Sequence, residues 1–147
     1  MRKENGFYTL RSYERQEDGQ LTGSMEDYLE MLYRLSLVKS TIHLSELAEN
    51  LHVRPSSASK MMTKLKKDGY ISFEKYGEIS LTGKGKKQGK YLLFRHDTLN
   101  EFLCMVNRSS CELEQVEKIE HFINPLTVQN MKAFLEKTKE NFWDKNE

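Results

Sequence analysis

Met25, Tyr28, Leu29, Leu32 and Leu35 recur with a 3.6-residue period, which predicts an amphipathic helix beginning at Ser24. A short helix is predicted over Ser45 to Leu51, with Ser45 as its N-cap. The turn His52-Val53-Arg54 follows, and Pro55 suits a first helical turn because its missing N–H has no partner there anyway. Ala58, Met61, Met62 and Leu65 then sit at i, i+3, i+4 and i+7, and Asp68-Gly69 closes that helix. After it the period changes to two. Ile71 and Phe73 alternate with polar residues, as do Ile79 and Leu81, which predicts two strands of a hairpin turning at Gly77. Beyond Gly89 the pattern is helical again. Leu99, Phe102, Leu103 and Val106 form one stripe, Leu113, Val116, Ile119 and Ile123 a second, and Val128, Met131, Leu135 and Phe142 a third, after Pro125.

Helix, tight turn, helix and hairpin in that order predict a winged helix-turn-helix. The expected fold class is mainly α with a small β-hairpin wing, followed by a C-terminal helical dimerisation domain. Residues 24–90 would form the DNA-binding unit and residues 91–147 the helical metal-binding and dimerisation unit. Residues 1–23 show no sustained period and read as an extension, with a short strand at Phe7 to Leu10. Three amphipathic helices on so short a C-terminal half cannot bury all their apolar faces alone, so a homodimer is expected.

Composition narrows the classes without choosing among them. The chain has 147 residues, 37% hydrophobic and 31% charged, with two prolines and eight glycines, which favours long regular elements. No apolar run approaches a membrane span, and Met1 to Gly6 has none of the apolar character of a secretory signal. Cys104 and Cys111 fit reduced thiols better than a disulfide framework, so a cytoplasmic location is expected.

The net charge of +1 hides a strong asymmetry. From Arg54 to Lys90 ten basic residues face only Asp68, Glu74 and Glu78, whereas from Asp97 onward ten acidic residues face six basic ones. One face suited to a polyanion is the reading; a solvated lysine-rich surface, or a winged helix that binds only protein, is the alternative. With the apolar stripe of the second helix turned inward, Ser56, Ser57, Ser59, Lys60, Thr63, Lys64 and Lys67 face outward. With Arg54 and Lys75 they are the candidate DNA contacts, the hydroxyls near base edges and the cations on phosphates of double-stranded operator DNA. Lys84, Lys86, Lys87 and Lys90 would extend the same face.

A second constellation is acidic. Asp27 and Glu30 lie on the first helix, His96 on a later one, and Glu117, Glu120 and His121 within one helical turn. Taken singly each has a plain explanation. Asp27 stands three after Ser24, as in a capping box; Glu30, Glu117 and Glu120 suit a solvated face; His96 suits a hydrogen-bonded core position; His121 suits a surface ion pair. If the first helix meets the C-terminal half near His96, however, six oxygen and nitrogen ligands converge without a thiolate. Hard carboxylates with imidazole suit Mn²⁺ or Fe²⁺ rather than a structural zinc site, and four carboxylates would balance two divalent ions. A dinuclear metal enzyme remains an alternative, although no His-Glu-x-x-His run, phosphate-binding glycine loop or small-molecule substrate site is evident.

From Ser24 to about Ile123 the chain resembles the diphtheria toxin repressor family, and within it the manganese transport regulator branch. Ser24 to Glu30, Leu51 to Ser57, Tyr70 to Lys87, Phe94-Arg95-His96 and Val116 to His121 carry the resemblance. It implies a homodimeric, metal-activated repressor of the manganese branch, whose ligands fall on Asp27, Glu30, His96, Glu117, Glu120 and His121; with the charge balance above, two Mn²⁺ ions per protomer are expected. The iron-responsive branch, which resembles it in architecture, carries a methionine at the position of Asp27 and a cysteine at that of Glu117, so this ligand set favours manganese. Three features depart from the resemblance: the long stretch before Ser24, with Arg2, Arg11 and Arg15 as a DNA arm or a mobile tail; a wing tip, Gly77-Glu78, of low basicity; and Phe122 after His121.

Overall fold

A computed structural model describes residues 9–15, 21–74 and 77–144. Its elements are α1 (Leu10–Arg15), α2 (Gly23–Ser36), β1 (Ile42–His43), α3 (Leu44–Asn50), α4 (Pro55–Lys67), β2 (Ile71–Phe73), β3 (Glu78–Leu81), α5 (Gly83–Asn107), α6 (Leu113–Ile119), a 3₁₀ turn (Glu120–Phe122) and α7 (Pro125–Asp144). This is the expected mainly helical winged-helix architecture. The predicted N-terminal strand is not borne out at Leu10, which opens α1; Phe7 and Tyr8 lie outside the described residues.

The first helix begins one residue before Ser24. Thr22, in extended backbone, accepts a hydrogen bond from the Met25 amide through its side chain at 3.2 Å. Thr22 therefore caps α2, and Asp27 is not needed to close the helix end. Ser45 is likewise not the cap of α3, which starts at Leu44 after His43. Between α3 and α4 the chain reverses through His52, which takes a left-handed backbone (φ 55°), while the Val53 amide donates to the Ala48 carbonyl. Pro55 then opens α4 as predicted.

The wing is a three-stranded antiparallel sheet in the order β1-β3-β2. Phe73 and Ile42 both pair with Ile79, and Ile71 pairs with Leu81. Strand β1 has only two residues, too few for alternation to reveal it in sequence. The core of this half joins Tyr28, Leu32 and Leu35 of α2 to Leu47, Ala58, Met62, Leu65, Ile71 and Ile79, all buried. The stripe predicted for α2 and the one predicted for α4 are what the core uses.

Helix α5 connects the two halves without a break, spanning about 38 Å at 1.5 Å per residue. The division expected after residue 90 falls inside it. Gly89 lets α2 approach closely: a Cβ there would lie 2.6 Å from Tyr33 Cβ, so any larger residue would force the helices apart. Two turns along α5 from Gly89 stands His96, and one turn back along α2 from Tyr33 stands Glu30. The antiparallel crossing thus delivers acidic residues of α2 to the middle of α5. Arg108 ends α5 in a left-handed conformation. The helix expected through His121 stops at Ile119, and Glu120 and His121 lie on the 3₁₀ turn. In α7, Val128 and Leu135 are buried as predicted; the Phe142 side chain lies outside the described residues.

Candidate metal centre and nucleic-acid surface

All six acidic and imidazole candidates meet at the crossing of α2, α5 and the α6–3₁₀ segment. They form two groups, Asp27–Glu120–His121 and Glu30–His96–Glu117, and within each the potential ligand atoms lie within 4.8 Å of one another. Glu120 joins them. Its Oε2 is 3.1 Å from His96 Nδ1 and its Oε1 is 4.0 Å from His121 Nε2. In the first group His121 Nε2 is 3.0 Å from Asp27 Oδ1. In the second, His96 Nδ1 is 3.5 Å from Glu117 Oε1 and 4.0 Å from Glu30 Oε2. Glu120 is buried, whereas the Asp27 and Glu117 side chains are 43% and 54% exposed, so each group has one wall open to solvent.

The electrostatics are those of crowded anions. Burial, reinforced by the nearby Glu120 charge, pushes Glu30 up to about 7, against the pull of Arg34 and His96. Burial and Glu120 also raise Glu117. The hydrogen bond to Glu120 raises His96. His121 is pushed up to about 10, chiefly by its hydrogen bond to Asp27 and then by that to Glu26. A divalent cation would relieve this repulsion and displace the imidazole protons. The donor set fits one: three donors in each group, Glu120 within reach of both histidines, imidazole and carboxylate only, with Cys104 and Cys111 contributing to neither. Such ligands suit a hard or borderline ion such as Mn²⁺.

Two neighbours were not anticipated. Glu26 Oε1 lies 3.0 Å from His121 Nδ1, and its Oε2 accepts from Arg95 Nη1 at 3.1 Å. Each sits next in sequence to a candidate ligand, Glu26 before Asp27 and Arg95 before His96. That adjacency was the available signal. Arg34 Nε donates to Glu30 Oε2 at 3.1 Å, the same oxygen that faces His96.

The basic candidates line the other end of the winged-helix half. Arg54, Ser56, Ser57, Lys60, Thr63, Lys64 and Lys67 are exposed on or just before α4, and Ser59 is half-buried. The Thr63 hydroxyl donates to the Ser59 carbonyl at 3.2 Å, so in this rotamer its proton is already used. Lys75 lies outside the described residues. Lys84 donates to the Asp68 carbonyl at 2.8 Å and stands over the Tyr70 ring, which ties part of the positive face to the wing.

Sequence profiles place these two surfaces in a family. The profile described as the iron dependent repressor, N-terminal DNA binding domain matches residues 20–79, and that of the iron dependent repressor metal binding and dimerisation domain matches residues 82–146. The chain belongs to the iron dependent repressor family. The resemblance drawn from the motifs is borne out, and the dinuclear-enzyme alternative lapses because the family is one of transcriptional regulators. The HTH-type transcriptional regulator MntR of Bacillus subtilis (strain 168) is 45% identical over 104 residues, 70% of this chain and 73% of that protein. The regulator of the same name from Lysinibacillus sphaericus (strain C3-41) is 40% identical over 121 residues, 82% of this chain and 87% of that one. Among solved structures, the manganese regulator SloR superposes with a TM-score of 0.68 at 27% identity, over 79% of this chain and 55% of that one. This chain therefore spans just over half the length of that regulator.

Proposed function

We propose that this iron dependent repressor family member is a manganese(II)-activated transcriptional repressor, working in the cytoplasm as a homodimer on operator DNA, with manganese uptake genes as its targets. The observation that supports the metal most directly is the pair of three-donor groups, linked by the 3.1 Å contact of Glu120 with His96, with no sulfur ligand in either. Asp27, Glu30, His96, Glu117, Glu120 and His121 would hold the ions. Residues 24–90 act as the DNA-binding unit and residues 91–147 as the metal-binding and dimerisation unit, joined through α5.

The coupling follows from who owns which ligand. Asp27 and Glu30 belong to α2, whose opposite face packs into the winged-helix core, while the other four ligands belong to α5 and the α6–3₁₀ segment. When bound, a divalent ion supplies the positive charge that lets these carboxylates sit together. Glu26–Arg95 and the Gly89–Tyr33 contact already join α2 to α5 without using any of the six ligands. The switch is thus a tightening of an existing interface, which sets the orientation of α4 relative to the dimerisation half. A coupling of roughly 1–3 kcal/mol would tighten operator binding about 5–150-fold. Exposed apolar side chains on the C-terminal half, Val106, Leu113, Leu126 and Phe134, offer the surface for a second copy.

Retention of genomic DNA fragments by the purified protein tests the whole reading. Discrete promoter fragments held with Mn²⁺ and released by chelator are expected; equal retention in both would remove the six residues as a switch. Fe²⁺ compared with Mn²⁺ at matched free concentrations, without oxygen, separates the iron-responsive alternative. Lys64→Ala should weaken binding to all sequences alike and lower the salt slope by about 1. An effect confined to one operator position would mean that Lys64 reads a base.

A further inference from the structure

His121 is the one candidate ligand whose second ring nitrogen is also engaged by a charged side chain from another element. Its Nε2 faces Asp27, and its Nδ1 lies 3.0 Å from Glu26 Oε1. Glu26 is itself held from behind by Arg95 at 3.1 Å, and both residues are nearly sealed from solvent, with relative exposures of 9% and 3%. Arg95 leaves its Nε without a hydrogen-bond partner, so its guanidinium is placed by the bond at the Nη end. Arg95 Nη2 also approaches His121 Nδ1, at 3.4 Å. That nitrogen cannot donate to Glu26 and accept from Arg95 at once. The shorter contact, to an anion, decides for donation to Glu26. The ring has a third restraint: a Cβ on Gly23 would lie 3.2 Å from His121 Cγ and Cδ2, so the α2 backbone lies directly against the imidazole.

We propose that Glu26, anchored by Arg95, is a positioning residue for His121: it accepts the hydrogen bond from Nδ1–H, fixes the ring, and leaves Nε2 as the atom offered to the ion between Asp27 and Glu120. The inference rests on the metal reading above. Imidazole ligands commonly donate their remaining N–H to a carboxylate, and losing that partner costs roughly 10–100-fold in metal affinity. Glu26 performs this for the Asp27–Glu120–His121 position only. Glu26 and Asp27 are neighbours on α2, so one helix turn supplies both the ligand and the brace. Among the described residues, His96 Nδ1 is hydrogen-bonded to Glu120 and lies 3.5 and 4.0 Å from Glu117 and Glu30, and no carboxylate reaches its Nε2.

Removing Glu26 alone would strand the Arg95 charge in the interior and threaten the fold. The informative variant is therefore the double substitution Glu26→Leu with Arg95→Met, which removes both charges and keeps apolar volume. Its thermal melt should remain cooperative. With ¹⁵N-labelled histidine, the metal-free wild type is expected to show a His121 Nδ1–H proton protected from solvent exchange, absent from the double variant. In Mn²⁺ titration calorimetry one of two binding events should weaken by roughly 10–100-fold. Combining the double variant with Asp27→Ala should weaken that same event little further, which assigns the position. Glu26→Gln, which keeps an acceptor oxygen, should fall between wild type and the double variant. Wild-type Mn²⁺ affinity in the folded double variant would overturn the proposal and reduce the pair to a structural salt bridge. An unprotected Nδ1 proton in wild type would overturn it as well. A protected proton in a wild-type protein that takes up no Mn²⁺ would instead sink the metal reading, and the positioning role with it.

Discussion

The Asp27–Glu120–His121 position has its imidazole braced from behind by Glu26 and Arg95, whereas the Glu30–His96–Glu117 position has a cation, Arg34, lying on one of its own donors. Their donor types are the same, two carboxylates and one histidine in each, and Glu120 of the first group also lies 3.1 Å from His96 of the second. What differs is the surrounding charge. Around the first, an anion faces the histidine on the side away from the ion, which holds the ring with Nε2 turned toward Asp27. Around the second, burial and Glu120 push Glu30 up to about 7 while Arg34 pairs with its charged form. Two sites with equal ligands therefore need not have equal affinity, because the outer partners decide how much rearrangement binding requires. We expect the His121 position to fill at the lower Mn²⁺ concentration.

The largest effect should come from erasing what the two positions share. Glu120 is 1% exposed and reaches both histidines, so Glu120→Gln keeps the shape and removes the charge from both. Loss of both binding events, each by on the order of 100-fold, is expected in calorimetry. The roughly 5–150-fold operator tightening should vanish with them, while sedimentation should still show a dimer. Retention of one event at full affinity would mean that the two groups do not share Glu120.

How far the sequence led to this site can be argued from the residues themselves. Asp27, Glu30, Glu117, Glu120 and His121 were legible as pairs on single turns, and His96 as a histidine on an apolar face. Their convergence was conditional on α2 meeting α5, which periodicity does not report; Gly89 and Tyr33 make that crossing close, and neither has a pattern that says so. The change from α6 to a 3₁₀ turn at Glu120 was also invisible. It depends on where the chain must bend to present Glu120 and His121 to α2, and the spacing 117, 120, 121 fits either helix. Glu26 and Arg95 were passed over because a charged residue beside a ligand usually faces water. Here the crossing buries both, and only the packed structure shows the carboxylate turned toward His121.

A mid-sized effect distinguishes the positions by protons. His121 lies at about 10, so near pH 7.5 the metal-free ring carries a proton that must leave when Nε2 is taken. Glu30, at about 7, is already mostly ionised there and contributes less than one proton. Calorimetry in buffers of different ionisation heat should give release approaching one proton for the His121 binding event, while His96, also raised, adds its own proton to that of Glu30 in the second. Asp27→Asn should reduce the first value, since the Asp27 bond is the main cause of the shift. No change in the first value with Asp27→Asn would break the assignment of that event to His121. The same shifts fix a stability trend in chelator. Both folded values are raised, so each contribution is complete below the unfolded value and fades as pH rises, for Glu30 between about 4.5 and 7 and for His121 between about 6.5 and 10. Tm should fall across that range, and saturating Mn²⁺ should reverse the fall.

The smallest expected effect tests whether Arg34 is a competitor. Its side chain is 38% exposed and its bond to Glu30 is an i, i+4 pair on α2, the kind worth about 0.3–0.5 kcal/mol. Arg34 Nε meets Glu30 Oε2, the oxygen nearest His96, so an ion at this position must share that oxygen or displace the guanidinium. If it must be displaced, Arg34→Ala should tighten the second Mn²⁺ event about 2-fold, leave the first unchanged, and cost the fold no more than the pair itself. The gap between the two positions should narrow. Weaker binding in Arg34→Ala would reverse the argument: Arg34 would then be holding Glu30 toward His96, as Glu26 holds His121 toward Asp27, and both positions would be braced by charge from outside.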